Sequence, residues 1–432
     1  MAQPQTAPRP ASPGSGPRDP APQGGATESS GRKRARWLPR IRFADSKTSA
    51  ALSASATFYF ILFPALLLGA FGLLMGFSAT SVSNIAAGVN PYRPFLRTLG
   101  IAAAALAAGA VATYIPVRFW DRFAVPIYLL GIGFQLLVIP FGVGQGGNMN
   151  WVRIPGLGQM VQPSEFLKLA TCLILARVLS SRSLDVRNFW QVLFWAGLPA
   201  AGAMGAVMIG SDMGTMLIFV ALTGGALWMA GIPGKWFGAM GVVGAGALVF
   251  MVAVSPSRVR RVLEFLPGYR PAPSTSAPTQ TDHGLWALGS GGLTGLGAGV
   301  SREKWDYLQE GHTDFILAII GEEFGLLGTL TLLVVFGALV FGIFQMAAST
   351  TSPFIRIASG GIGTWLLAQA LINVGTVVGL VPVIGVPFPL VSHGGSSFLF
   401  TAMAIGVLLS FARYDLSVAA SGEDEVKEAV PR

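Results

Sequence analysis

The stretch TFYFILFPALLLGAFGLLMGFS, residues 57–78, runs for 22 positions without a charged side chain. A helix that crosses the hydrocarbon layer needs about 20 mostly apolar residues, so this stretch alone reads as a membrane span. Nine further segments resemble it: 98–116, 123–143, 163–181, 190–208, 213–230, 236–254, 326–347, 354–380 and 396–412. Lipid does not tolerate irregular backbone or open sheet edges, and none of these segments alternates as a barrel strand would. The fold class is therefore all-α. A polytopic membrane protein of ten transmembrane helices is expected, with a long extracellular loop, 255–325, between helices 7 and 8.

Composition supports that reading. Of 432 residues, 52% are hydrophobic and only 11% charged, with a mean hydropathy of +0.60. A soluble domain carries roughly a quarter charged residues. The net charge of +9 invites a nucleic-acid reading, which the placement of the charges argues against. Nine of the 29 Lys and Arg fall in residues 1–47, and eight prolines fall in the first 40. Such a segment buries too little apolar surface to offset its chain entropy. Residues 1–50 are thus expected to be a disordered, basic, cytoplasmic tail, 51–412 the membrane domain, and 413–432 a second cytoplasmic tail. Some 50 polar residues before the first apolar run argue against a cleaved signal peptide. With both termini inside, 19 Lys and Arg lie in inside segments and three, Arg93, Arg97 and Arg153, in the short outer loops. That bias matches the positive-inside rule for ten spans. A single cysteine, Cys172, excludes an internal disulfide. The many Gly and Ala in spans 2, 5 and 7 read as close-packing positions.

Polar residues are so scarce that their clustering is informative. Between residues 48 and 412 there are 12 acids, and six of them are Glu303, Asp306, Glu310, Asp314, Glu322 and Glu323. Asp306, Glu310 and Asp314 are spaced to share one face if helical, although Gly311 interrupts the run. Carboxylates that close raise at least one pKa, as suits a general acid or base; the alternative is a solvated acidic loop. A second group is Gln162-Pro163-Ser164-Glu165 with Lys168, either structural glue or the wall of a polar cavity. Third is Gly210-Ser211-Asp212-Met213-Gly214-Thr215, where Asp212 is either a helix cap or a site residue. The fourth is Val381 to Ser397, with the run Pro387 to Ser397 that holds Ser392, His393, Ser396 and Ser397, and its prolines and glycines imply non-helical backbone packed in protein or lining a wet cavity. By the charge bias all four face the outer side, which points to one external-facing site. The three histidines, His283, His312 and His393, have no paired spacing and are poor evidence of a metal site.

In this order the motifs resemble those of the SEDS family, the shape, elongation, division and sporulation proteins. The resemblance runs through Gln162-Pro163-Ser164-Glu165 and Lys168, Asp212-Met213-Gly214-Thr215, Gly291-Gly292, His312-Thr313-Asp314-Phe315-Ile316, Glu322-Glu323-Phe324-Gly325, Pro382 to Pro389, and Gly394-Gly395-Ser396-Ser397. It spans residues 57–412. The Gly147 to Trp151 stretch and the Tyr92 to Arg97 loop look more like division-type members of high-GC Gram-positive bacteria than like elongation types. Two positions depart from the family pattern. Gln309 stands where a proline is usual, and His393 where a tyrosine is usual.

The resemblance implies a peptidoglycan glycosyltransferase that polymerises lipid II, the undecaprenyl-diphosphate-linked disaccharide pentapeptide, on the outer face of the cytoplasmic membrane. It implies a class B penicillin-binding protein and other divisome membrane proteins as partners, and enrichment at the division septum. Asp314 then occupies the essential aspartate position, Asp306 that of another acid often found important, and Glu165 and Lys168 the cavity-lining pair. Asp212, Glu310, His312, Ser392, Ser396 and Ser397 are the other candidate cavity residues. In chemical terms, a weakly nucleophilic sugar hydroxyl needs a carboxylate to take its proton, and Asp314 is the residue assigned that role. The departing diphosphate needs positive charge from Lys168, an outer-loop Arg or a divalent cation such as Mg or Mn. No cofactor beyond that cation is expected. The rival readings are a lipid II flippase, a scaffold that recruits the transpeptidase, and an elongation-type polymerase.

Overall fold

The computed structural model describes residues 47–421 apart from 87, 89, 91, 146–147, 154–159, 266–277, 306, 309–310 and 393. The helices are α1 (Lys47–Ala86), α2 (Tyr92–Tyr114), α3 (Val117–Arg122), α4 (Ala124–Leu136) and α5 (Val138–Phe141). After α5 come three short strands, β1 (Gly142–Gln145), β2 (Asn148–Arg153) and β3 (Met160–Val161), forming an antiparallel sheet in the order β1-β2-β3. Then follow α6 (Pro163–Leu179), α7 (Phe189–Val192), a π-helical turn at Leu193–Gly197, α8 (Leu198–Ile209), α9 (Met213–Met229) and α10 (Gly234–Ala253). The last are α11 (Pro256–Phe265), α12 (Gln280–Gly291), α13 (Ile316–Ser349), α14 (Pro353–Val377) and α15 (Gly395–Ser421).

All ten apolar segments of the sequence are helical. Among the described residues, eight helical stretches are long and apolar enough to cross a membrane. The other two segments form α6 and α9, each 17 residues, at the short end of the roughly 17–25 that span. Helix α1 already runs from Lys47, and α15 continues to Ser421 because no proline or glycine follows Gly406 before Gly422. Residues 1–46 and 422–432 lie outside the described residues.

The described residues of loop 255–325 hold helical structure. The loop contains α11, α12 and the first turns of α13, so Glu322 and Glu323 are helical residues rather than loop residues. Helix α12 starts with a reciprocal cap between Thr279 and Asp282. Helix α13 breaks at Gly325, whose φ of 66° is open to glycine at little cost. A break of this kind frees backbone groups that need partners. The segment after α12 supplies them: Leu296 and Gly297 donate to the carbonyls of Glu322 and Glu323 at 3.0 Å each. In return, Leu326 and Leu327 donate to those of Gly292 and Leu293 at 2.9 and 3.1 Å. The segment after α12 thus folds back onto α13.

The bundle is built by α2 against α15, α9 against α14, α1 against α13 and α15, and α4 and α14 against α6. Small residues permit close approach at some of these contacts and not at others. A Cβ on Gly406 of α15 would lie 2.1 Å from the Gly109 carbonyl of α2. Helix α10 behaves differently. None of its residues is buried, and Gly238, Gly241, Gly244 and Gly246 have no neighbour within 4 Å of an added Cβ. The glycines of span 7 are therefore not close-packing positions, because no other part of the chain comes within reach of them. Gly406→Ala is expected to lower the thermal midpoint in detergent, whereas Gly241→Ala leaves it unchanged or raises it through higher helix propensity. Equal midpoints for the two variants would contradict this packing.

Candidate functional site

Helix α6 opens with Pro163 at its first position, where a missing N–H costs nothing. Glu165 sits in the first turn, and Lys168 follows three residues later on the same face. Both are buried, with Lys168 Nζ 2.9 Å from Glu165 Oε2. The pair is a contact of charges rather than an aligned hydrogen bond, since Glu165 Oε2 has no hydrogen-bond partner. Lys168 instead directs an N–H to Gln369 Oε1 at 2.9 Å and lies 4.7 Å from the centre of the Trp365 ring. Taking both charges out of water is tolerable only with such compensation.

Asp212 caps α9. Its Oδ1 accepts from the Thr215 backbone N–H at 3.0 Å. Its Oδ2 accepts from Asn150 Nδ2 at 2.7 Å, Thr215 Oγ1 at 2.8 Å and Gln162 Nε2 at 3.0 Å. With its oxygens saturated and the residue buried, Asp212 pins β2, the start of α6 and the start of α9 to one another. The cap is the role the geometry gives it.

The segment between α14 and α15 joins these pieces. The Gln162 backbone N–H donates to Ser396 Oγ at 3.2 Å, and Gln369 Nε2 to the Pro387 carbonyl at 2.9 Å. Ser392 Oγ accepts from the Phe388 N–H at 2.7 Å, so this serine shapes the non-helical turn. Ser396 and Ser397 are buried at the start of α15. Gly214 lies so close to Ile384 that a Cβ there would fall 2.6 Å from its carbonyl oxygen.

Asp314 reaches the same segment from the other side. Asn373 Nδ2 donates to the Asp314 carbonyl at 2.7 Å and to the Val386 carbonyl at 2.8 Å. A Cβ on Gly385, which has a φ of +72°, would stand 3.4 Å from Asp314 Oδ2. Asp314 and its neighbour His312 are half-buried. The four motifs separated along the chain are therefore one cluster, arranged around residues 384–396.

The described acids of the cluster, Glu303, Asp314, Glu322 and Glu323, do not act as one group. Residues 301–315 contain no helix among those described, and two of the three residues of the helical face expected for Asp306, Glu310 and Asp314 lie outside the described residues. Asp306 and Glu310 lie outside the described residues, as does His393. Glu303 pairs with His283, its Oε2 2.7 Å from Nδ1. Glu322 is buried and accepts from Ser301 Oγ, from the Arg302 N–H at 2.9 Å and from the Glu303 N–H at 3.3 Å. Glu323 pairs with the buried Lys304 at 2.9 Å and accepts from Ser78 Oγ at 3.4 Å. These two glutamates anchor the loop to α13 and α1 and leave Asp314 as the described acid of the group that joins the site cluster.

Trp365, Gln369, Asn373 and Lys304 were not among the sequence candidates. The first three are spaced i, i+4 and i+8 in an apolar span, a polar stripe readable from sequence. Lys304 carries no such local signal. Among the described residues no three His, Cys, Asp or Glu side chains gather as a cation-binding group.

A bundle of apolar helices that encloses, among the described residues, a cluster of acidic, basic, amide and hydroxyl side chains defines a multi-pass membrane protein with a composite polar site. The model of the cell cycle protein family that groups FtsW, RodA and SpoVE matches residues 58–416, and the chain belongs to this family. It is 36% identical over 353 residues to a probable peptidoglycan glycosyltransferase FtsW of Thiomonas intermedia, covering 80% of this chain and 85% of that one. Two solved structures share the fold. One is from a peptidoglycan synthase complex described as coordinating polymerization and crosslinking, with a TM-score of 0.64 and 23% identity over 81% of this chain and 96% of that one. The other is the rod shape determining protein RodA of Thermus thermophilus, with a TM-score of 0.61 and 23% identity over 82% and 96%.

Proposed function

We propose that the protein is a peptidoglycan glycosyltransferase that polymerises lipid II into glycan strands on the outer face of the cytoplasmic membrane during cell division. The observation that carries this reading is the convergence of the four family motifs on one cluster containing Asp314. Family membership and the name borne by the Thiomonas intermedia relative support the reaction class.

In this reading the acceptor is the 4-hydroxyl of the GlcNAc of a lipid-linked disaccharide. The donor is the growing chain, whose anomeric carbon carries a polyprenyl diphosphate. Asp314 takes the hydroxyl proton as the new C–O bond forms and the bond to the diphosphate breaks. A single displacement inverts the anomeric centre and gives a β linkage from an α-linked donor. The half-buried position of Asp314 beside residues 384–386 suits this role. Lys168 holds positive charge in the same cluster, where the departing diphosphate needs it.

The assembly reading places both termini in the cytoplasm, the protein at the division septum, and a class B penicillin-binding protein and other divisome membrane proteins beside it. The synthase complex that shares the fold supports a crosslinking partner. Assignment to the division type of high-GC Gram-positive bacteria rests on the Tyr92 to Arg97 loop and the Gly147 to Trp151 stretch. Purified protein is to be incubated with lipid II, with and without its transpeptidase, and the products separated by size. Long glycan strands are expected. Lipid II that crosses vesicles without polymerising would favour a carrier, and lipid II that does neither would favour a scaffold.

A further inference from the structure

Two amides one helical turn apart on α14, Gln369 and Asn373, are 0% and 1% exposed in the middle of the site cluster. We infer that they are positioning residues, an amide ladder that fixes Asp314 relative to Lys168 by holding the backbone of residues 386–387 between them. The inference rests on the reading of Asp314 as the general base and adds to it the residues that set its position.

The partners determine how each amide is turned. Gln369 Oε1 accepts from two donors, Lys168 Nζ at 2.9 Å and Trp365 Nε1 at 2.8 Å. Its Nε2 is left facing the Pro387 carbonyl at 2.9 Å. Asn373 Nδ2 spends both N–H groups on carbonyls, those of Asp314 at 2.7 Å and Val386 at 2.8 Å. Turning the Asn373 amide over would set oxygen against two oxygens, so the orientation is unambiguous. The consequence is that Asn373 Oδ1 is buried without a hydrogen-bond partner. An unmet buried acceptor is costly, and the side chain keeps it in order to supply two donors at this point. A residue needed only to fill space would not be an asparagine.

The ladder has two rungs. Gln369 ties the Lys168 end to Pro387, and Asn373 ties Val386 to the backbone of Asp314. Adjacent residues of one non-helical strand thus connect the charge pair on α6 to the base. Gly385, beside them, approaches Asp314 Oδ2 closely, so movement of this strand moves the wall of the carboxylate as well. Neither amide is assigned contact with substrate. Each acts through the group it holds.

The test uses the full-length protein carrying Asn373→Leu, with Asn373→Ser as a second variant that keeps one donor. Lipid II turnover and hydrogen exchange of the backbone are measured in parallel. Asn373→Leu is expected to lower kcat by about 10- to 100-fold, the scale of a small misplacement of a catalytic group, with KM held within about twofold. The acid limb of the pH–rate profile should move, because the surroundings of Asp314 change. Exchange should rise in residues 312–316 and 384–388 together while α2 and α15 keep their protection. Asn373→Ser should fall between Asn373→Leu and wild type on both readouts.

Unchanged exchange in both segments, or loss of activity that only follows loss of folded protein with the pH profile unmoved, overturns the ladder. If Asn373→Leu does not fold, Asn373→Ser with wild-type kcat and exchange overturns it equally. A wild-type protein that makes no polymer, with the two segments still loosening together, sinks the base assignment and leaves the ladder standing.

Discussion

Asp314→Asn is expected to lower lipid II polymerisation by about 100- to 10,000-fold, the usual contribution of a positioned general base. The substitution keeps the size and shape of the side chain and removes only its ability to accept a proton. KM should change little, because the interaction lost belongs to the transition state rather than to the bound substrate. The thermal midpoint should also stay near that of wild type. The hydrogen bond from Asn373 goes to the backbone carbonyl of this residue, which the substitution leaves intact, and the side chain is only half-buried. Steady-state kinetics with a parallel melting curve check both statements. A full-rate Asp314→Asn protein would remove the base from this carboxylate.

Lys168→Met is the second large effect, and it is expected in folding before catalysis. The ammonium lies between Glu165, Gln369 and the Trp365 ring with almost no exposure. Removing it leaves the Glu165 carboxylate buried and uncompensated, a loss of about 3–5 kcal/mol. Lys168→Arg is not a rescue, because a planar guanidinium presents its charge differently from a compact ammonium. The double variant Glu165→Gln with Lys168→Met removes both charges and is expected to recover most of the lost stability but not the polymerase rate. Thermal melting in detergent distinguishes the cases. A single Lys168→Met variant that melts like wild type would mean the pair contributes nothing to the fold. A double variant with full activity would remove Lys168 from the reaction.

The parts of this molecule that were legible in sequence are those with local causes. Twenty-odd apolar residues without charge make a membrane helix wherever they occur, so every one of the ten segments is found as a helix. Pro163, Glu165 and Lys168 announce their helix, its first turn and their shared face through spacing alone. The i, i+4, i+8 stripe of Trp365, Gln369 and Asn373 was equally local, although only the structure shows what each end of it holds. What sequence did not reveal depends on partners distant along the chain. Glu322 and Glu323 looked like site acids by density of charge, yet they belong to Ser301 and Lys304, 21 and 19 residues earlier. The break at Gly325 is stabilised by a loop whose pairing no periodicity encodes. Glycine content made spans 2 and 7 look alike, while Gly109 touches α15 and the glycines of α10 touch nothing. The strands after α5, two to six residues each, are too short to carry an alternation signal.

The most direct measurement is an experimental structure of the protein with a lipid II acceptor in place. The 4-hydroxyl of the acceptor sugar is expected within about 2.6–3.2 Å of the Asp314 carboxylate, the reach a general base requires, with residues 384–388 alongside. An acceptor sugar seated away from Asp314, with that carboxylate turned to protein partners alone, would contradict the assignment.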